Sequence, residues 1–182
     1  AIGLLWTIAD RDSDSAAIDR ALSKLVLIVS DDRPEVRNAA VNTLFSCIAG
    51  RGSGFSATYW KSCIMGSVFK VYNIVASKTG VAEESTGEEA SKYKVQLHHS
   101  RDSAEKMWIA TLVLVLRGLT RVLRNFFTQL LITVEEAEGD ARWFPSAWTK
   151  ILRFAYDAAS QEGGRDTFDI RATGIELLVV CC

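Results

Sequence analysis

Any chemistry in this 182-residue chain would have to come from a handful of side chains. His98 and His99 are the only histidines, and imidazole is both a zinc ligand and a general base. Two adjacent histidines in extended chain point in different directions, and no cysteine lies nearby to add a soft ligand. A carboxylate would have to be recruited from the acidic stretch before them, so no metal site is expected. The pair reads instead as the approach to a helix, with Ser100, Asp102 or Ser103 capping it. Lys106 three residues after Ser103 makes this a simple cap and not a capping box. A Ser/His/Asp hydrolase would need a G-x-S-x-G elbow on a strand-rich scaffold, and the chain has neither. Gly50-Arg51-Gly52-Ser53-Gly54 resembles a phosphate loop only superficially, since it follows a helix and lacks the Gly-Lys-Ser/Thr ending. The cysteines Cys47, Cys63, Cys181 and Cys182 form no C-x-x-C pair, which suits neither zinc nor a disulfide framework. They fit a reducing, cytosolic setting. The expectation is a protein with no catalytic residue, no cofactor and no metal.

One constellation of charge does stand out. Lys106, Arg117, Arg121 and Arg124 fall within roughly 60° of one another at about 100° per residue, opposite a leucine stripe. A solvated helix face would look like this. So would a docking face for an acidic partner or for anionic lipid headgroups, where each cation contributes on the order of 1 kcal/mol. Arg101 and the two histidines flank the start of the same helix. His98, His99, Arg101, Lys106, Arg117, Arg121 and Arg124 are therefore the candidate partner-binding residues.

The elements that must carry these residues are helices. Hydrophobic residues make up 48% of the chain and charged residues 24%, the balance of a soluble globular protein. With 21 Lys and Arg against 22 Asp and Glu, no global field draws it to nucleic acid. The longest apolar run, Ile109 to Leu116 with Thr111 inside it, falls far short of the roughly 20 residues that span a bilayer. The start has neither a basic n-region nor a small-residue cleavage site, so no cleavable signal is expected. Both ends are apolar, which leads us to expect a piece of a longer chain.

Along the sequence, Ser13, Asp14 or Ser15 caps a helix with Ile18, Leu22, Leu25 and Val29 on its inner face. Asp31-Asp32-Arg33-Pro34 then opens a second helix, with an aspartate as the cap and proline at its first position. Val36, Ala40 and Leu44 share one face of it, and Arg37 points to the flank to meet an acidic turn residue of a neighbouring repeat. This is the inter-helix turn and second helix of a HEAT repeat. Such a repeat cannot bury its apolar face alone and implies a stack of helical hairpins. The glycines at 50, 52 and 54 stop that helix, and Ser56 caps a third with Trp60, Ile64, Val68, Val71 and Val75 inside. Residues 76–102 lose periodicity and are expected to be a flexible acidic loop. A long helix is predicted from Ser103 to Val134, with Leu112, Leu116, Leu119, Leu123, Phe126, Phe127 and Leu130 in the core. Pro145 starts a helix carrying Trp148, Leu152, Ala155 and Ala159. Phe168, Ala172, Ile175 and Val179 mark the last. Trp60, Trp108 and Trp148 are expected in the core and Trp143 partly exposed. The predicted fold is all-α, one HEAT/armadillo-like right-handed superhelix segment of about six helices over residues 1–182.

Four blocks resemble one known family. They are Gly3-Leu4-Leu5-Trp6-Thr7-Ile8-Ala9-Asp10, the HEAT motif at 32–45, His98-His99-Ser100-Arg101 with Ser103, Lys106 and Trp108, and Phe144-Pro145-Ser146-Ala147-Trp148 with Leu152 and Phe154. Together they resemble the monensin-sensitivity (MON-two) family. Its members are large cytosolic helical scaffolds related to the big Arf guanine-nucleotide exchange factors but lacking their catalytic exchange domain. The resemblance implies a non-enzymatic scaffold, peripheral on trans-Golgi network and endosome membranes, acting in endosome-to-Golgi transport. It implies a Dopey-type protein and a phospholipid flippase as partners, with Arf-like GTPases as further ones. Composition alone leaves open a HEAT adaptor of another pathway, such as nuclear transport or a phosphatase scaffold.

Overall fold

The structure is a computed structural model that describes residues 15–79, 81, 98–135, 143–161 and 168–182. Among these the chain forms six helical segments. They are α1 (Ser15–Ile28), α2 (Pro34–Arg51), α3 (57–76), α4 (His98–Glu135), α5 (Trp143–Ala159) and α6 (Phe168–Cys181). α2, α4 and α6 lie side by side in one layer. α1, α3 and α5 back them in a second layer, each packed against its hairpin partner. Phe154 of α5 ties the second layer together, stacking on Tyr72 of α3 at 3.6 Å and meeting Phe69 edge-on at 5.3 Å. This two-layer stack of hairpins is an all-α superhelix segment.

Local sequence accounts for most of the elements. Ile18, Leu22, Leu25 and Val29 are all buried as their spacing requires. Ser56 caps α3 by accepting a hydrogen bond from the Tyr59 N–H at 3.3 Å. Trp60, Ile64, Val68, Val71 and Val75 are each no more than 2% exposed. α3 is α-helical over Ala57–Lys61, widens to a π-helix over Ser62–Val68 and tightens again over Phe69–Ala76. The glycine-rich turn after α2 is a 3-10 turn (Gly52–Gly54) held by packing. A Cβ on Gly52 would come within 2.9 Å of the Phe126 ring, and Gln129 of α4 donates to the Ser53 carbonyl at 2.7 Å.

Several expectations need correction. Pro34 is the first residue of α2, but neither aspartate caps that helix: the N-cap position is Arg33, with no side-chain cap. Asp31 instead accepts from the Arg33 backbone N–H and Nε, each at 2.9 Å, and from its Nη2 at 2.8 Å. The carboxylate thus tightens the turn before the helix rather than the helix end. Ala40 and Leu44 are fully buried, whereas Val36 is only half-buried. α4 begins at His98, five residues before the expected start, so His98-His99-Ser100-Arg101 lies within a helix and not in extended chain. Of the expected 76–102 loop, Ala76 closes α3, Thr79 and Val81 are buried, and residues 80 and 82–97 lie outside the described residues. The block at 3–10 and the proposed cap at 13–14 lie outside them too.

The aromatic expectations divide. Trp60 and Trp108 are core, Trp148 is half-buried, and Trp143 is only 7% exposed. Trp143 is tucked edge-on against Phe144, because its place in the first turn of α5 turns it into the stack. The last predicted helix is α6, and its marker residues lie on its outer side. Phe168, Ala172, Ile175 and Val179 face outward, and Ile170, Thr173, Gly174 and Leu177 face the stack. α6 carries apolar residues on both sides. Its inner face is chosen by Gly174, where a Cβ would sit 2.5 Å from the Ala159 nitrogen, so the absence of a side chain lets the two backbones approach closely there.

Candidate interaction surface

α4 is 38 residues long and lies between α2 and α6. Its buried side carries Leu112, Leu116, Leu119, Leu123 and Leu130. Lys106, Arg117, Arg121 and Arg124 are all exposed on the opposite side, as the helical period requires. Arg124 reaches across to Glu176 of α6, with its Nη2 3.0 Å from Oε1. Both partners are about half exposed, so this pair contributes at most about 1 kcal/mol. Arg117 and Arg121 form no ion pair among the described residues. His98, His99 and Arg101 belong to the first turn of the same helix.

An open cleft of about 340 Å³ lies alongside this ridge, where the start of α2, the first half of α4 and the start of α6 meet. Ile109, Val113 and Leu114 give it an apolar floor, and Ala110 stands at its mouth. Lys106 and Arg117 flank it from α4, Asn38 from α2 and Asp169 from α6.

The α2 wall of the cleft is anchored by a buried polar cluster. Arg37 is 1% exposed. Its Nε donates to Thr111 Oγ1 of α4 at 2.9 Å and its Nη1 to the Asp32 carbonyl at 2.8 Å. Its guanidinium lies over the Trp108 ring, 3.9 Å from the centroid. Thr111 Oγ1, 2.6 Å from Asn38 Oδ1, completes the chain of bonds. Arg37 therefore does not sit on the flank pairing with an acid of a neighbouring repeat. It crosses into the core between α2 and α4, because Thr111 offers the one hydroxyl inside an otherwise apolar run and Trp108 offers a π face. Burial lowers its pKa foremost, against the opposing pull of Asp32 and Glu35. Sequence reasoning singled out Arg37 but had no signal for Asn38 and Thr111, which meet across 73 positions, or for Asp169, brought to the cleft only by the fold.

Burial pushes the Cys63 thiol up to about 12, so it stays protonated near neutrality. Among the described residues, no group of three His, Cys, Asp or Glu side chains is placed to hold a metal ion. No helix of the described residues is long and apolar enough to cross a membrane. The surface can pair with carboxylates or phosphates and can admit apolar side chains.

Residues 20–168 match the family model for the C-terminal region of the Mon2 protein. The chain belongs to the Mon2 family. It is 33% identical over 142 residues to the MON2 homolog of Drosophila melanogaster, covering 78% of this chain and 8% of the fly protein. Over 139 residues it is 34% identical to the Xenopus laevis homolog and 33% identical to the human one, covering 75% of this chain. It thus spans less than a tenth of the length of these Mon2 relatives. The Brefeldin A-inhibited guanine nucleotide-exchange protein 4 of Arabidopsis thaliana is 29% identical over 107 residues, 58% of the chain and 6% of that protein. No solved structure matches the chain.

Proposed function

We propose that this chain is a non-catalytic scaffold module acting in endosome-to-Golgi membrane trafficking. The observation that carries the reading is Mon2 family membership over residues 20–168, joined to a fold made of stacked helical hairpins. Such stacks bury their apolar faces against their neighbours and present long ridges to partners. The match to a guanine nucleotide-exchange protein supports kinship with the large Arf exchange factors. The repeats are of HEAT type, a reading supported by the Pro34-Glu35-Val36-Arg37 helix start and the stacked helical hairpins. The module works from the cytoplasmic face of Golgi and endosomal membranes. Its partners are a Dopey-type protein, a phospholipid flippase and Arf-like GTPases, with peripheral contact to anionic lipid. The alternative of an adaptor in nuclear transport or a phosphatase assembly has no finding behind it.

The docking face is the ridge of Lys106, Arg117, Arg121 and Arg124, with His98, His99 and Arg101 at its foot. Arginine suits this role because its planar fork engages carboxylates and phosphates bidentately. The test is affinity capture from a membrane-containing extract, with the chain as bait, comparing wild type with R117E/R121E/R124E. The wild type is expected to retain the Dopey-type protein in a salt-sensitive manner, and the triple variant to lose it while melting like wild type. Equal capture by both folded proteins would remove the ridge from the reading, and no capture by either would remove the scaffold role itself.

A further inference from the structure

The cleft beside the ridge narrows what the partner must be. A concave site of about 340 Å³ with the floor Ile109, Val113 and Leu114 has room for a large apolar side chain or two. Unpaired Arg117 and Arg121 lie at its edge and beyond it on the same helix face. From Lys106 to Arg124 the ridge runs about 27 Å, five turns of helix at 1.5 Å per residue. The geometry points to this cleft and ridge as the seat of an acidic amphipathic helix of a partner protein, laid along α4.

The parts are complementary to such a helix in three respects. Apolar side chains at i, i+3 or i+4 would enter the cleft, the way helices dock in grooves elsewhere. Glutamates or aspartates flanking that stripe would meet Arg117 and Arg121, whose charge no residue of this chain neutralises by ion pairing among those described. Asp169, on the opposite α6 wall, would repel an acid placed there and accept a lysine or arginine, which fixes the direction of the bound helix. The wall is set in advance, because Asn38 is held by Thr111 and Thr111 by Arg37. A lipid surface would satisfy the arginines but leave the cleft floor uncovered, so the concavity favours a helix.

This inference rests on the scaffold reading above and names the chemistry of its partner. It is tested with a fluorescein-labelled synthetic 18-residue peptide carrying Leu at i, i+4, i+7 and i+11 and Glu on both flanks. Vesicles of phosphatidylserine serve as the second probe. The 182-residue wild type should bind the peptide, and R117E/R121E should weaken binding about tenfold or more. Ala110→Trp fills the mouth while leaving every cation in place, so it should weaken peptide binding similarly with an unchanged melt. Replacing the peptide leucines by serine should abolish binding. Peptide binding that ignores Ala110→Trp, or that survives loss of the leucines, overturns the proposal. Vesicle binding without peptide binding also overturns it and makes the ridge a lipid contact. If Ala110→Trp loses the peptide yet still captures the Dopey-type protein, the cleft proposal falls for that partner and the scaffold role stands. If the peptide binds as expected and nothing is captured from extract, the scaffold reading fails alone.

Discussion

A guanidinium that is 1% exposed needs partners for its charge and for its five N–H groups. Arg37 finds a hydroxyl, a backbone carbonyl and an indole face, while its Nη2 has no hydrogen-bond partner. Removing the side chain would strand the Asp32 carbonyl and open a void between α2 and α4. R37A should therefore cost about 3 kcal/mol or more, and R37K about 1–2 kcal/mol, since an ammonium cannot bridge both sites as a fork does. Urea unfolding measures both, and an R37A loss below about 0.5 kcal/mol would contradict the placement. The sequence motif marked Arg37 as structural, yet its partner is 74 residues away, so no local pattern could show that it turns inward. Asp31 is a gentler case. Its hydrogen bonds from Arg33 hold its pKa near 2, below the usual value of about 3.9. The depressed value means its stabilisation is present above about pH 4 and is lost as pH falls toward 2. D31N should thus differ from wild type at pH 6, and the difference in thermal melts should shrink as pH falls from about 4 through 2.

Between elements, contact is decided by what the helices leave out. A Cβ on Gly118 of α4 would meet the Phe45 ring of α2 at 2.3 Å, so this glycine is what lets a phenylalanine lie flat against a helix backbone. G118V should destabilise by about 2 kcal/mol or more through overpacking, read as a lower urea midpoint at unchanged slope. Relieving the clash from the other side, G118V with F45A, should cost less than the sum of the two single substitutions. On α6 the consequence runs the other way. Phe168, Ile175 and Val179 are 71%, 52% and 68% exposed, an apolar stripe on the outside of the stack. I175K/V179K should leave the melt within about 0.5 kcal/mol and lower any self-association seen by analytical ultracentrifugation. A melt reduced by several kcal/mol would mean those residues are inside. Periodicity located the helix and its stripe of large residues but not its orientation. When both faces are apolar, small residues such as Gly174 and Thr173 select the inner one, and a search for large side chains passes over them.

At the scale of the whole molecule, the order of hairpins was legible and their layering was not. Proline, glycine and capping serine punctuate the chain at Pro34, Gly52, Ser56 and Pro145, and each lies within two residues of a helix boundary. That α2, α4 and α6 form one layer is a property of non-local packing, which no local signal encodes. The same packing separates Arg37 from Thr111 by 74 positions, and that separation has a kinetic consequence. Closing a loop of this length costs about 4 kcal/mol in chain entropy before any bond across it is gained. α1 and α2 can pair early, since their contacts are local, but the arginine between α2 and α4 gains Thr111 and the Trp108 face only when α4 arrives. Its bonds then belong to the last steps of folding and the first of unfolding. In stopped-flow chevrons, R37A should raise the unfolding rate roughly a hundredfold and change the folding rate less than about threefold. The buried guanidinium would then act as a latch on the finished stack, governing how long the native state lasts more than how quickly it forms.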